Sequence, residues 1–152
     1  GDIASEFHFT HVANYHAGIV LKNILFRCKS KVKYHALPWV TFTQPEIAQV
    51  GMTEAAAKQA RKSIRIIEAD FKDNDRAQTE HQTTGKIKVI IARFGKILGV
   101  SIIGPHAGEL IMPWTIAIEK GLSMRAMASV IVAYPTFSEI NKAIAINYYT
   151  PK

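Results

Sequence analysis

The sequence predicts an α+β fold, an antiparallel β-sheet layered with helices. Lys86–Arg93 and Lys96–Ile103 are two β-rich runs flanking Phe94-Gly95, the pattern of an antiparallel hairpin turning on a glycine. From His106 to Lys120 the apolar residues Ala107, Leu110, Ile111, Trp114, Ala117 and Ile118 recur on one helical face. Strand patterns come first and helical patterns follow, an order that favours a helix-covered antiparallel sheet over a doubly wound parallel one.

The elements follow in chain order. A helix is expected from Thr10, whose hydroxyl is available as an N-cap, to about Phe26. Its second half, Ile19-Val20-Leu21 and Ile24-Leu25-Phe26, is apolar on almost every side, as in helices buried within a larger body. The basic segment Lys29–His35 breaks this pattern, and Pro38 biases Leu37 toward extended backbone, so a module boundary is expected here. Trp39-Val40-Thr41-Phe42 reads as a strand ending near Pro45. Thr53 can cap a short helix running to about Arg61, and a strand is expected from Ser63 to Phe71. Asp73–Gly85 is polar and shows no clear period. After the hairpin and the helix from His106, Gly121 is placed to stop that helix. Ser123 can cap a short helix containing Met124, Met127 and Val130, Tyr134-Pro135 turns the chain, and Ser138 can cap a last helix through Ile140, Ala143, Ile144 and Asn147. No internal repeat or low-complexity segment interrupts this order.

Composition narrows the function classes. A chain of 152 residues buries roughly 70% of the surface its unfolded form exposes, enough for a core without staples. No apolar run approaches the ~20 residues that span a bilayer, and Gly1-Asp2-Ile3 does not open a secretory signal. The chain starts without an initiator Met, in the manner of an excised fragment. Cys28 is the only cysteine, which excludes an internal disulfide and suits a reducing, cytoplasmic setting; its expected role is that of a small buried residue on a helix. The net charge of +7 raises nucleic acid as a partner, but only Arg27, Lys29, Lys31 and Lys33 cluster, and no stacking aromatics are interleaved with them. A solvated basic linker, without nucleic-acid or membrane contact, is the expectation. The six histidines lack metal-ligand spacing, since His11 and His16 are five apart and His8 lies across a loop-to-helix junction, so no metal site is expected.

Several segments share an order and spacing with one family. They are Gly1-Asp2, Phe9-Thr10-His11-Val12-Ala13, Pro45–Gly51, Asp75-Arg76-Ala77, Thr84–Lys88, Ile97-Leu98-Gly99, Gly104–Ile111 and Tyr134–Glu139. Together they resemble the C-terminal part of the pyridine nucleotide-disulfide oxidoreductases, which include glutathione reductase, dihydrolipoamide dehydrogenase and mercuric reductase. The resemblance implies that residues 37–152 are a dimerisation domain and residues 1–33 the C-terminal remnant of an FAD-binding domain. It implies a homodimer joined to the rest of a flavoenzyme that carries electrons from NAD(P)H through FAD and a Cys pair to an acceptor. Asp2 would hydrogen-bond the flavin ribityl chain, and Thr10, His11 and Ala13 would open the helix whose positive end faces the flavin ring.

The same resemblance assigns catalytic positions to Tyr134 and Glu139. Most of the family has His before the Pro, a general acid and base toward a thiol of the other subunit, oriented by the Glu that Glu139 matches. Here Tyr134 takes the His position. A phenol with a pKa near ~10 stays protonated at neutral pH, so Tyr134 suits donation to a thiolate or anion better than proton abstraction. Tyr at this place is similar to the mercuric reductase branch, whereas Asn147–Lys152 lacks that branch's terminal Cys pair and argues against mercury as substrate. A second reading of Tyr134 is structural, packing at a subunit interface, with Glu139 serving the first turn of the last helix. With no Gly-x-Gly-x-x-Gly and no second Cys, this chain is expected to be catalytically inert by itself. The competing function class is a basic, non-enzymatic dimeric module that binds a polyanion.

Overall fold

A computed structural model describes residues 1–60 and 63–150. The chain divides into two compact units, Gly1–Tyr34 and a second beginning at His35.

The first unit is built on α1 (Thr10–Leu25), preceded by a single 3-10 turn at Asp2–Ala4. Thr10 is the first helical residue and not the cap: Phe9 holds the cap position and no side chain caps the helix. Val12 and His16 are its buried residues. His16 lies between the Gly1 amine, 3.0 Å from Nδ1, and the Tyr34 hydroxyl, 2.8 Å from Nε2. The basic segment folds back along the helix. Asn23 exchanges two hydrogen bonds with the Ser30 backbone, at 2.9 and 3.1 Å, and the Lys33 N–H donates to the Tyr15 hydroxyl at 3.1 Å. Cys28 lies past the end of α1 and is exposed, contrary to the buried helical position expected for it, because the helix stops at Leu25 and Arg27 turns the chain with a positive φ. Val20, Leu21, Ile24, Leu25 and Phe26 are also exposed, so the apolar half of α1 is not covered by the described residues of its own unit.

The second unit is a five-stranded, fully antiparallel sheet in the order β1-β2-β5-β4-β3. Its strands are β1 (Pro38–Thr41), β2 (Glu46–Gly51), β3 (Arg65–Asp70), β4 (Lys86–Ile91) and β5 (Ile97–Gly104). The strand β2 was not expected. Glu46, Ala48, Gln49 and Gly51 are weak strand formers, and the segment is extended because it pairs with β1 on one side and β5 on the other. One face of the sheet presents Ala48, Val50, Val89, Val100 and Ile102 to the helices in a core that also takes Phe71, Trp114, Met124, Ile140 and Ile144. Full burial of each large side chain contributes about 1.5–3 kcal/mol. Ile91 continues the alternation of Ile87 and Val89 into this core, and Ile90 packs with Ala57 and Leu98 on the other face. The register shift opposite Ile90 and Ile91 makes Leu98 the extra residue of β5, so Ile97 and not Leu98 reaches the core. The turn between β4 and β5 is a 3-10 turn, Arg93–Gly95, in which Phe94 as well as Gly95 has a positive φ.

The helices largely follow the sequence expectations, with three physical differences. The Thr53 hydroxyl caps α2 (Glu54–Gln59) by accepting from the Ala56 N–H at 3.2 Å; the expected end at Arg61 lies outside the described residues. The polar stretch after β3 contains α3 (Asp75–Thr79), capped by Asn74 through the Ala77 N–H at 2.9 Å. The single helix expected from His106 is two, α4 (Ala107–Leu110) and α5 (Met112–Lys120). Pro113 has no N–H to return to residue 109, so α5 starts anew with proline in its first turn. Gly121, at φ 67°, ends α5 with bonds from Gly121 N–H to Ile118 and from Leu122 N–H to Ala117. Ser123 caps α6 (Met124–Ser129), and α7 (Glu139–Asn147) closes the fold. Ser138 makes no side-chain cap, since its own backbone is already helical.

Candidate functional site

The segment from Ala133 to Glu139 joins α6 to α7, and its shape follows from short-range chemistry. The Glu139 carboxylate reaches back to accept from the Thr136 N–H at 3.1 Å, while the Glu139 N–H donates to the Thr136 carbonyl at 3.3 Å. This is the carboxylate half of a capping box, with Thr136-Phe137-Ser138-Glu139 supplying the T-x-x-E spacing. The Thr136 hydroxyl donates backwards to the Ala133 carbonyl at 2.7 Å, which tightens the turn around Tyr134-Pro135. Phe137 anchors it from below, with its ring 5.0 Å from that of His106 and 6.3 Å from the buried Phe71.

Two residues outside the segment complete the arrangement. Asn74, buried to 5% exposure, donates from Nδ2 to the Thr136 carbonyl at 3.1 Å while its Oδ1 caps α3. Next to it, Asp75 Oδ2 accepts from the Tyr134 hydroxyl at 2.9 Å. This contact holds the phenol above its ordinary pKa, through the hydrogen bond first and the charge of Asp75 second, with Glu139 adding a smaller repulsion. Tyr134 itself is 70% exposed. Between β3, α3 and α7 runs a groove of about 460 Å³ lined by Glu68, Asp70, Asp73, Asp75 and Glu139, with Lys142 as its cation. Glu68 is neutralised in part by Lys86 and Lys88, at 3.0 and 3.4 Å.

Tyr134 and Glu139 therefore share one turn, but no hydrogen bond joins them. Glu139 is occupied with the backbone of its own turn, and Tyr134 is held by Asp75. The sequence pointed to the turn and to Glu139 at its helix mouth, and missed the parts of Asn74 and Asp75. A cap signal was present, since Asn74 followed by Asp75 in a first turn is a helix start. Nothing local indicated that this start would meet Tyr134.

The residues expected to face a flavin lie in the first unit. Asp2 is exposed in the 3-10 turn, Thr10 and His11 open α1 on exposed positions, and Ala13 is half-buried one turn in. The His11 ring stacks on Phe9 at 5.1 Å. An exposed carboxylate, an acceptor for hydroxyl groups, and a 16-residue helix whose first N–H groups have no side-chain cap are chemically compatible with a flavin's ribityl chain and polar edge. Among the described residues, no group of three or more His, Cys, Asp and Glu is arranged to hold a metal ion. No described helix is long and apolar enough to cross a membrane.

A helix-covered antiparallel sheet with a carboxylate turn at the mouth of its last helix defines an α+β domain, and solved structures share this fold. LpdA from Mycobacterium tuberculosis superimposes with a TM-score of 0.88 at 24% identity, over 95% of this chain and 32% of its own. The HOCl-induced flavoprotein disulfide reductase RclA from Escherichia coli does so with 0.86 at 23%, over 96% of this chain and 34% of its own. Residues 37–144 match the family model of the pyridine nucleotide-disulphide oxidoreductase dimerisation domain, and the chain belongs to that family. Among curated relatives, the mitochondrial dihydrolipoyl dehydrogenase of Schizosaccharomyces pombe is 41% identical over 126 residues, which is 82% of this chain and 25% of that protein. The mercuric reductase of Staphylococcus aureus is 34% identical over 149 residues, which is 97% of this chain and 27% of that protein. The chain thus spans about a quarter of the length of these two relatives. Both the α+β expectation and the family resemblance read from the sequence hold.

Proposed function

We propose that this chain is the homodimerising end of an FAD-dependent oxidoreductase that takes electrons from NAD(P)H and passes them through a Cys pair to an acceptor. The observation that carries the reading is the family match over residues 37–144, on an antiparallel sheet whose last helix opens with the Tyr134–Glu139 turn. Residues 1–33 are the remnant of the FAD-binding domain in this reading, and residues 37–152 the dimerisation domain. The exposed apolar half of α1, from Val20 to Phe26, supports it, because a helix of that composition is stable against a larger apolar body.

FAD, when bound, relays the nicotinamide hydride to a disulfide. Asp2 would hold the ribityl hydroxyls, and Thr10, His11 and Ala13 would present the N-terminus of α1, whose dipole favours negative charge, to the flavin. Tyr134 and Glu139 are the dimerisation domain's contribution to a site completed by the other subunit. By itself the chain has no route for electrons and is inert.

Sedimentation of the purified chain at micromolar concentration tests the dimer, and a monomer there removes it. Reduction of added FAD by NADH or NADPH in the presence of the chain would remove the claim of inertness.

A further inference from the structure

We propose that Asp75, and not Glu139, is the positioning residue for Tyr134, and that it turns the phenol into a hydrogen-bond acceptor toward whatever enters the site. The inference rests on the reading of Tyr134 as a site residue. Where an aromatic group at this turn is oriented by a carboxylate, the nearest candidate along the chain is Glu139. Its Oε2 is spent on the Thr136 N–H at 3.1 Å, a bond the first turn of α7 needs. Asp75 comes from the other side of the turn and accepts a hydrogen bond from the Tyr134 hydroxyl at 2.9 Å.

Asp75 is itself fixed. It is the first residue of α3, whose cap Asn74 is buried and bonds to both the Ala77 N–H and the Thr136 carbonyl. The turn and the start of α3 are therefore joined at two adjacent residues, and a displacement of one carries the other. The charged groups about the phenol are Asp75 on α3 and Glu139 on α7, with Asp73 and Lys142 along the same groove. A hydroxyl whose O–H already donates to a carboxylate keeps only lone pairs for a third group. Tyr134 so held meets a hydrogen-bond donor, such as a thiol S–H or a protonated amine, and is poorly disposed toward a thiolate or another anion. This reverses the role of donor to an anion that the phenol's pKa alone suggested.

The test is the titration of Tyr134 in the whole chain labelled with 13Cζ-tyrosine, its signal assigned by loss in Tyr134→Phe. In the wild type it titrates above the ordinary range near ~10; in Asp75→Asn it returns to that range; in Glu139→Gln it stays close to the wild type. An ordinary value in the wild type overturns the proposal without any variant, which covers the outcome in which Asp75→Asn does not fold. Equal values in the wild type and a folded Asp75→Asn, or a larger fall in Glu139→Gln, overturn it as well. Sedimentation of the same samples separates this from the dimer: a monomer with a raised Tyr134 removes the dimer and leaves Asp75 in place.

Discussion

The Trp114 indole N–H donates to Asn141 Oδ1 at 2.7 Å, with both residues buried, and Asn141 Nδ2 donates on to the Leu110 carbonyl at 3.2 Å. One amide thus joins α4, α5 and α7 through the core and fixes the helix that carries Glu139.

Asn141→Ala should be costly, because it strands a buried indole N–H and a helix-end carbonyl and leaves a small cavity. We expect a loss of about 2–4 kcal/mol, read as a fall of roughly 5–15 °C in the thermal midpoint. A midpoint within error of the wild type would show that water or a shifted neighbour replaces the amide.

Gly99→Ala should disrupt the sheet. A Cβ at this position of β5 would overlap the backbone carbonyl of Met52, which cannot rotate away as a side chain would. The expected loss is at least about 2–3 kcal/mol, measured by urea denaturation. The control is Gly18→Ala on α1, where a Cβ meets nothing within 4 Å and helix propensity favours alanine.

The polar network on the open face of the sheet should give a pH-dependent term. Lys88 Nζ lies 3.2 Å from Glu54 and 3.4 Å from Glu68, and both carboxylates are held below the usual glutamate range, first by their lysine hydrogen bonds. A carboxylate with a depressed folded pKa stabilises the fold above its unfolded value and loses that contribution as pH falls through the folded value. Lys88→Met should therefore lower the thermal midpoint slightly at pH 7, with the difference from the wild type closing as pH falls below the ordinary glutamate range and through the depressed folded values of both carboxylates. The groups are largely exposed, so the effect should also shrink in high salt. A difference that persists unchanged at low pH would point to lost packing of the lysine stem.

The apolar half of α1 should be dispensable for the fold of this chain. Leu21 and Ile24 are 56% and 69% exposed. Replacing both with Lys should reduce binding of a hydrophobic dye and leave the thermal midpoint unchanged. A lower midpoint would mean that this face is covered in solution, by a second copy among other partners.

The sequence by itself determined those features that depend on neighbours in the chain. Gly121 stopped α5 because the left-handed conformation needed there suits glycine, and Thr53 and Ser123 capped their helices through bonds spanning three residues. The hairpin of β4 and β5 was legible for the same reason. Glu139 was placed at its helix mouth through the family resemblance, and its bond to Thr136, only three residues away, is of the same short-range kind although the expected cap was Ser138.

Tertiary structure decided whatever depended on contacts distant in sequence. The strand β2 has little strand propensity, and its pairing with β5, from Glu46 opposite Gly104 to Gly51 opposite Gly99, makes it one. The partner of Tyr134 is likewise 59 residues away, on a helix that the polar composition of Asp73–Gly85 concealed. The sequence therefore identified the turn, but only the folded chain showed which carboxylate holds the phenol. Short-range hydrogen bonds are encoded in residue spacing, whereas a bond between two loops exists only once the sheet and its helices have brought them together.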